Sequence, residues 1–301
     1  MTDWKLDSVD ISNIALIDER GVDWKAVSRA TYFIHQHIRY EYPGPITDLR
    51  QRLVISPRDL HGDQRRIIQR LDVFPQMPAQ SHRDAFGNSV IAMVIPVLEC
   101  GIDFEYWAIV ERDASIGEHR EPRSLLEMPS LFRSSLLTRA DAPLRRAAEA
   151  LKAAHSEPLQ LAHAINHFVY EHMKYQFGVT DVHTGAASAF ALGKGVCQDY
   201  AHVMLAIARH CGLAARYISG HLLGEGGTHA WVEIILPDRG DALVLAFDPT
   251  HDRMVTMKYI VIAVGRDYAD VAPTSGVFTA SFAGELSVRK RVGVAEVRYA
   301  A

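Results

Sequence analysis

Gly193-Lys194-Gly195-Val196-Cys197-Gln198-Asp199-Tyr200-Ala201-His202 is the stretch from which the rest of this chain can be read. Two glycines break the preceding pattern. After them the apolar side chains of Tyr200, Val203, Met204, Ile207 and Cys211 recur at helical spacing until Gly212. Cys197 therefore opens a helix. Downstream lie Thr228-His229-Ala230-Trp231-Val232-Glu233 and Ala246-Phe247-Asp248-Pro249-Thr250, both with the β-branched and aromatic content of strands. A cysteine at a helix start, a histidine on a strand and an aspartate at the end of the next strand are the parts of a thiol acyl-transfer site.

The chemistry explains the residue types. A helix N-terminus and a neighbouring imidazolium favour a thiolate, and the amide of the cysteine itself points where an oxyanion can sit. Gly193 and Gly195 allow a close backbone approach by a substrate. Pro237-Asp238-Arg239-Gly240 reads as a four-residue hairpin loop between Leu236 and Asp241. That register sets His229 directly opposite Asp248 on one sheet face, about 5 Å apart at Cα.

Working outward, residues 144–155 and 158–177 carry helical spacing, and strand-like runs follow at 214–221, 228–236 and 242–247. The tail 259–299 reads as further strands with a loop at 265–276. Upstream, residues 32–42, 48–56, 66–74 and 89–97 alternate as short strands punctuated by turns such as Pro43-Gly44-Pro45 and Phe86-Gly87-Asn88. The expected fold class is α+β: an antiparallel β-sandwich over 1–140, then an α+β catalytic domain over 141–301 that includes the C-terminal strands.

With 301 residues, 48% of them apolar, the chain can bury a substantial core. Its net charge of −4 gives no basic excess for nucleic acid and no polybasic cluster for a membrane surface. The start Met1-Thr2-Asp3-Trp4-Lys5 lacks a leader pattern, and no apolar run approaches the roughly 20 residues of a membrane span, so a cytoplasmic location is expected. Cys100, Cys197 and Cys211 form no CxxC pair, which argues for reduced thiols. Cys211 lies on the helix stripe and reads as core. His163 and His167 have metal-pair spacing without a third ligand, no calcium-loop pattern occurs, and neither a metal nor another cofactor is expected. His35 and His37 read as strand surface, Asp199 as a first-turn charge, and the Arg266 to Asp270 stretch as an ion-pair network.

The segments around Cys197, His229 and Asp248 resemble the nucleophile, histidine and acid motifs of the transglutaminase-like superfamily, whose members share a papain-like fold. Tyr40-Glu41-Tyr42-Pro43 and Leu53-Val54-Ile55-Ser56-Pro57-Arg58 are similar to the N-terminal module of its bacterial members, described as cysteine proteases, and Gly265-Arg266-Asp267-Tyr268 to a segment after the catalytic strands. The resemblance implies acylation of Cys197 by a peptide or γ-glutamyl amide, proton transfer by His229 and orientation by Asp248. It also implies a second oxyanion donor, for which Tyr175 and Gln198 are candidates, and a peptide or protein amide as partner. Trp231 either lines the acyl-donor cleft or packs. Hydrolysis, amine-transfer crosslinking and a non-catalytic binding role on the same fold are all carried forward, and the oligomeric state is left open.

Overall fold

The computed structural model describes residues 14–300; the N-terminal start read above for a leader lies outside them. The first half is built from β1 (Val27–Glu41), β2 (Ile46–Ser56), β3 (Leu60–His61), β4 (Gln64–Phe74), β5 (Gln80–Arg83), β6 (Ser89–Leu98) and β7 (Gly101–Asp113). Side chains alternate along these strands between core and surface, so each sheet has one apolar face to bury. Ile38, Leu49, Leu53, Met93, Ile95 and Phe104 fill the space between the two sheets. The stretch after β7 is irregular apart from short 3-10 turns and β8 (Arg120–Glu121).

Four helices then pack together: α1 (Ala142–Ala154), α2 (Pro158–His172), α3 (Ala186–Leu192) and α4 (Cys197–His210). Asp141 caps α1 by accepting from the Leu144 amide at 3.0 Å. α2 ends at His172, five residues before the helical pattern does, and Lys174–Tyr175 forms β9, paired in parallel with β10 (Lys194–Gly195). α4 is buried from Gln198 to Arg209 on every side, which makes it the central helix of the domain. Gly212, at φ +86°, takes the left-handed conformation just beyond its end.

Against α4 lies a sheet of β11 (Ala214–Leu222), β12 (His229–Asp238), β13 (Asp241–Asp248), β14 (Arg253–Met254) and β15 (Tyr259–Gly265), in the order β14-β13-β12-β11-β15. The turn between β12 and β13 differs from the expected four-residue loop. Asp238 pairs with Asp241, leaving only Arg239 and Gly240, both at positive φ as a tight hairpin requires. The register therefore slides by two residues, which preserves the sheet face because side chains alternate with a period of two.

The tail also departs from expectation. After the short α5 (Tyr268–Val271), β16 (Thr274–Thr279) and β17 (Glu285–Tyr299) leave the helix-bearing unit and return to the sandwich. β17 pairs with β1 from Tyr299 opposite Val27 to Glu285 opposite Glu41, and β16 pairs with β2. The sandwich sheets read β17-β1-β7-β4-β3 and β16-β2-β6-β5. A strand's alternation reports which face it buries and is silent about its neighbour, so the tail could not be assigned from its own pattern.

The two halves are joined through buried polar contacts. Gln64 donates to the Val261 carbonyl at 2.7 Å and accepts from the Val261 amide at 2.8 Å; Asn88 does the same to Val264, at 2.6 and 2.9 Å. Two side-chain amides thus serve backbone groups on β15. Nearby, His61 Nε2 meets Glu233 at 2.7 Å, and Arg216 donates to Glu233 at 2.6 Å and Glu121 at 3.0 Å.

Candidate active site

Cys197 is the first residue of α4 and is half-buried. Its position is fixed by the residue two places on. Asp199 Oδ2 accepts from the Val196 amide and from Thr180 Oγ1, both at 2.7 Å, which ties the turn before the helix to its first turn. A Cβ on Gly195 would lie 2.4 Å from that same oxygen, so the glycine makes room for Asp199. This corrects its reading as an approach for substrate. Helix geometry leaves the Cys197 amide without an intrahelical acceptor.

His229 opens β12 and is 2% exposed, while Asp248 closes β13 and is wholly buried. With the shorter turn, Val232 faces Phe247, and His229 and Asp248 come together as diagonal neighbours on one face. His229 Nε2 is 2.8 Å from Asp248 Oδ2, and Cys197 lies close enough to influence the imidazole. Burial, the largest influence, acts to lower the His229 pKa. The Asp248 hydrogen bond and the charges of Asp248 and Cys197 overrule it and raise the group to about 10.

Three further side chains complete the arrangement. Asp248 Oδ2 also accepts from His251 Nδ1 at 2.7 Å and from Tyr259 Oη at 2.6 Å, and Oδ1 accepts from the Thr250 amide at 2.9 Å. Burial works to raise the Asp248 carboxyl, yet the hydrogen bonds from His229, His251 and Tyr259 hold it well below the usual carboxylate range. Glu225 places one oxygen 3.3 Å from His229 Nδ1 and the other 2.9 Å from His251 Nε2. Asp248, His229, Glu225 and His251 therefore form a closed ring of alternating carboxylate and imidazole. Hydrogen bonds donated by His251 to Asp248 and Glu225 raise its pKa to about 9.

Residues 145–249 match the transglutaminase-like superfamily, and residues 32–111 match the bacterial transglutaminase-like N-terminal region. The chain carries a transglutaminase-like core behind a bacterial transglutaminase-type N-terminal region. An uncharacterised protein of Mycobacterium leprae is 29% identical over 271 residues, covering 83% of this chain and 93% of its own length. An uncharacterised protein of Mycobacterium tuberculosis is 39% identical over 121 residues, 36% of this chain and 38% of its own. Among solved structures, a candidate cysteine protease from Cytophaga hutchinsonii superposes with a TM-score of 0.72 at 21% identity, over 90% of this chain and 93% of that one. At that identity the likeness speaks for the fold.

In this transglutaminase-like protein the other expected site residues separate. Tyr175 lies beside Cys197 because β9 pairs Tyr175 with Gly195. Burial first, then the nearby Cys197 and Glu225, push its phenol up to about 12, so it keeps its proton at neutral pH. Gln198 turns aside and donates to the Asp181 carbonyl at 3.4 Å. Trp231 is 0% exposed and packs edge-on against Tyr259, with ring centres 5.3 Å apart, and beneath His229 at 6.2 Å. Its burial makes it a support for the histidine, and the cavity it borders is the one lined by His61, His119 and Glu233.

The remaining candidates have ordinary partners. His163 packs edge-on against Phe247 at 5.0 Å and His167 bonds Asp252 at 2.7 Å, so the two do not converge on a metal. His229, Asp248 and His251, and separately His61, His119 and Glu121, bring ligand-type atoms within 4.8 Å of one another. Hydrogen bonds within the protein already link both groups, as the ring and the Arg216 contacts above describe. Cys211 is buried, contacts the Ala148 carbonyl at 3.3 Å and is pushed up to about 11 by burial, which marks it as core. Arg266 and Asp270 pair at 2.8 Å and cap their own turn. Glu225, His251 and Tyr259 were not legible as site residues. Their signals in sequence are the glycines flanking Glu225 and the placement of His251 three residues after Asp248.

Proposed function

We propose that the chain is a cysteine-dependent amide hydrolase acting on a peptide or γ-glutamyl amide. The observation that carries this reading is His229, bonded to a buried, ionised Asp248 and close enough to Cys197 to feel its charge. The raised basicity of His229 makes it the acceptor of the thiol proton. Nε2 is held by Asp248 at 2.8 Å, and Nδ1, which Glu225 flanks more loosely at 3.3 Å, is the nitrogen through which the proton passes. The sulfur adds to the amide carbonyl, and the developing oxyanion lies within reach of the Cys197 amide, with the protonated Tyr175 phenol on the same flank. His229 returns the proton to the leaving nitrogen, the C–N bond breaks, and a thioester remains on Cys197. A water then gives its proton to His229 and adds to the thioester, and collapse releases the carboxylic acid and the thiol.

Interception of the thioester by an amine gives protein crosslinking instead. The two outcomes differ only in the acceptor. With a fixed acyl donor and a graded concentration of primary amine, hydrolysis predicts acid as the dominant product even at high amine. Mass spectrometry of quenched enzyme tests the common step by finding the acyl adduct on Cys197. No adduct and no turnover in wild type, together with retained partner binding in Cys197→Ala, transfers the case to a binding protein of the same fold.

A further inference from the structure

A groove of about 850 Å³ runs between the sandwich and the loops that flank the candidate catalytic side chains. One wall includes Val182 and His183, on the loop whose Thr180 and Asp181 are bonded to Asp199 and Gln198 of α4. Another is the 226–228 segment, which runs directly into His229. The sandwich supplies part of the lining from β1 and β17. Exposed apolar side chains collect here: Leu136 at 79%, Leu286 at 50%, Val182 at 45% and Val288 at 42% exposure. Exposed apolar surface gathered along one cleft marks a place where something binds.

The polar groups of the groove supply the chemistry. Lys290 and Gln36 are cross-strand partners on β17 and β1, so their side chains project side by side. Lys290 has no ion-pair or hydrogen-bond partner among the described residues, and burial lowers its ammonium to about 8. Gln36 is 2% exposed, with Oε1 unpartnered. His221, close enough to feel the Lys290 charge, gives Nδ1 to the Gly227 carbonyl at 3.2 Å and leaves Nε2 unpartnered. The one acid in the lining, Asp267, is committed to capping α5 by accepting from the Ala269 amide at 2.8 Å. A half-buried cation without a counter-charge has lost hydration that no protein group replaces.

We propose that this groove seats the acyl donor as an extended peptide, its apolar side chains against Leu286, Val288 and Val182 and a carboxylate on Lys290. The inference rests on the amide-hydrolase reading and extends it. Specificity is then written partly by the sandwich, and the substrate class is an apolar peptide carrying one negative group. Lys290 orients that group and takes no part in bond making.

Four fluorescein-labelled apolar peptides test this: one glutamate or one glutamine at a fixed position, each with a free or an amidated C-terminus. Their affinities for Cys197→Ala and for Cys197→Ala with Lys290→Glu or Lys290→Met are read by fluorescence anisotropy. Carboxylate-bearing peptides are expected to bind at least about tenfold tighter than the neutral one, the preference vanishing in Lys290→Met and reversing in Lys290→Glu. A difference that follows glutamate assigns an acidic side chain; one that follows the free terminus assigns an α-carboxylate. Equal binding of all four peptides, or a preference that survives both Lys290 variants with unchanged circular dichroism, overturns the proposal. Because Cys197→Ala binds without turnover, that failure is separate from failure of the hydrolase reading, which the Cys197 adduct decides.

Discussion

His251 Nδ1 lies 2.7 Å from Asp248 Oδ2, the oxygen that also holds His229. One carboxylate oxygen thereby orients two imidazoles, with Glu225 closing the far side of both. Replacing His251 with alanine removes a donor from Asp248 and a partner from Glu225 while leaving Cys197 and His229 in place. In the amidase reading kcat is expected to fall about tenfold with KM little changed, whereas Asp248→Asn costs about 10³-fold or more. Steady-state kinetics on both variants checks this, and equal losses contradict the ring as drawn.

Alkylation of Cys197 by iodoacetamide is expected to remain fast well below pH 8 in wild type and to slow at least about tenfold in His229→Ala. The adduct is located by peptide mass spectrometry. Indistinguishable pH profiles in the two proteins remove the basis for an activated pair.

The three side chains singled out in the sequence lie close together for a physical reason. Cys197, His229 and Asp248 each sit at the end of a regular element, where a local pattern fixes the position. The hairpin turn is two residues shorter than expected, yet an even slip leaves His229 and Asp248 on a common face. Glu225 and His251 belong to loops whose path is set by the residues they touch, so no periodicity announces them. Trp231 alternates in phase with His229, and only packing against Tyr259 decides that it is interior. β16 and β17 read as strands but joined the wrong domain, because pairing partners are a tertiary property.

Stability is expected to fall on the alkaline side. His251 and His229 have folded-state pKa values raised to about 9 and about 10. Each therefore contributes stability that is fully present below about 6.5 and is lost as pH rises through its folded value. Thermal melts between about pH 7 and 10 should show a decline that is shallower in His251→Asn. Asp248 and Glu225, both depressed, act oppositely: their contributions are present above the ordinary carboxylate range and are lost as pH falls.

Gly195→Ala should disturb the site without touching it. Its Cβ would sit 2.4 Å from Asp199 Oδ2, which holds both the Val196 amide and Thr180. A loss of about 1–3 kcal/mol in stability and slower Cys197 labelling are expected. Denaturant unfolding and the alkylation rate measure the two effects, and wild-type values in both refute the packing argument.

Gln64→Ala and Asn88→Ala each leave buried amide and carbonyl groups of β15 unserved. Each is expected to cost about 1–3 kcal/mol by urea unfolding, because the backbone groups keep their desolvation and lose their partner. Leu60→Ala, at a side chain 62% exposed, is the control and should be near neutral.

The pairing of β17 with β1 also constrains how the chain is made. β1 is inner in its sheet, flanked by β7 and β17, and β17 follows every other described strand along the chain. When the ribosome has delivered the first half, one side of β1 is still an open edge; it stays open until the entire cysteine-bearing unit has emerged. The sandwich thus begins to form before the cysteine-bearing unit and is completed after it. Truncation near residue 280, which spares every candidate catalytic residue, is expected to yield aggregated rather than merely inactive protein.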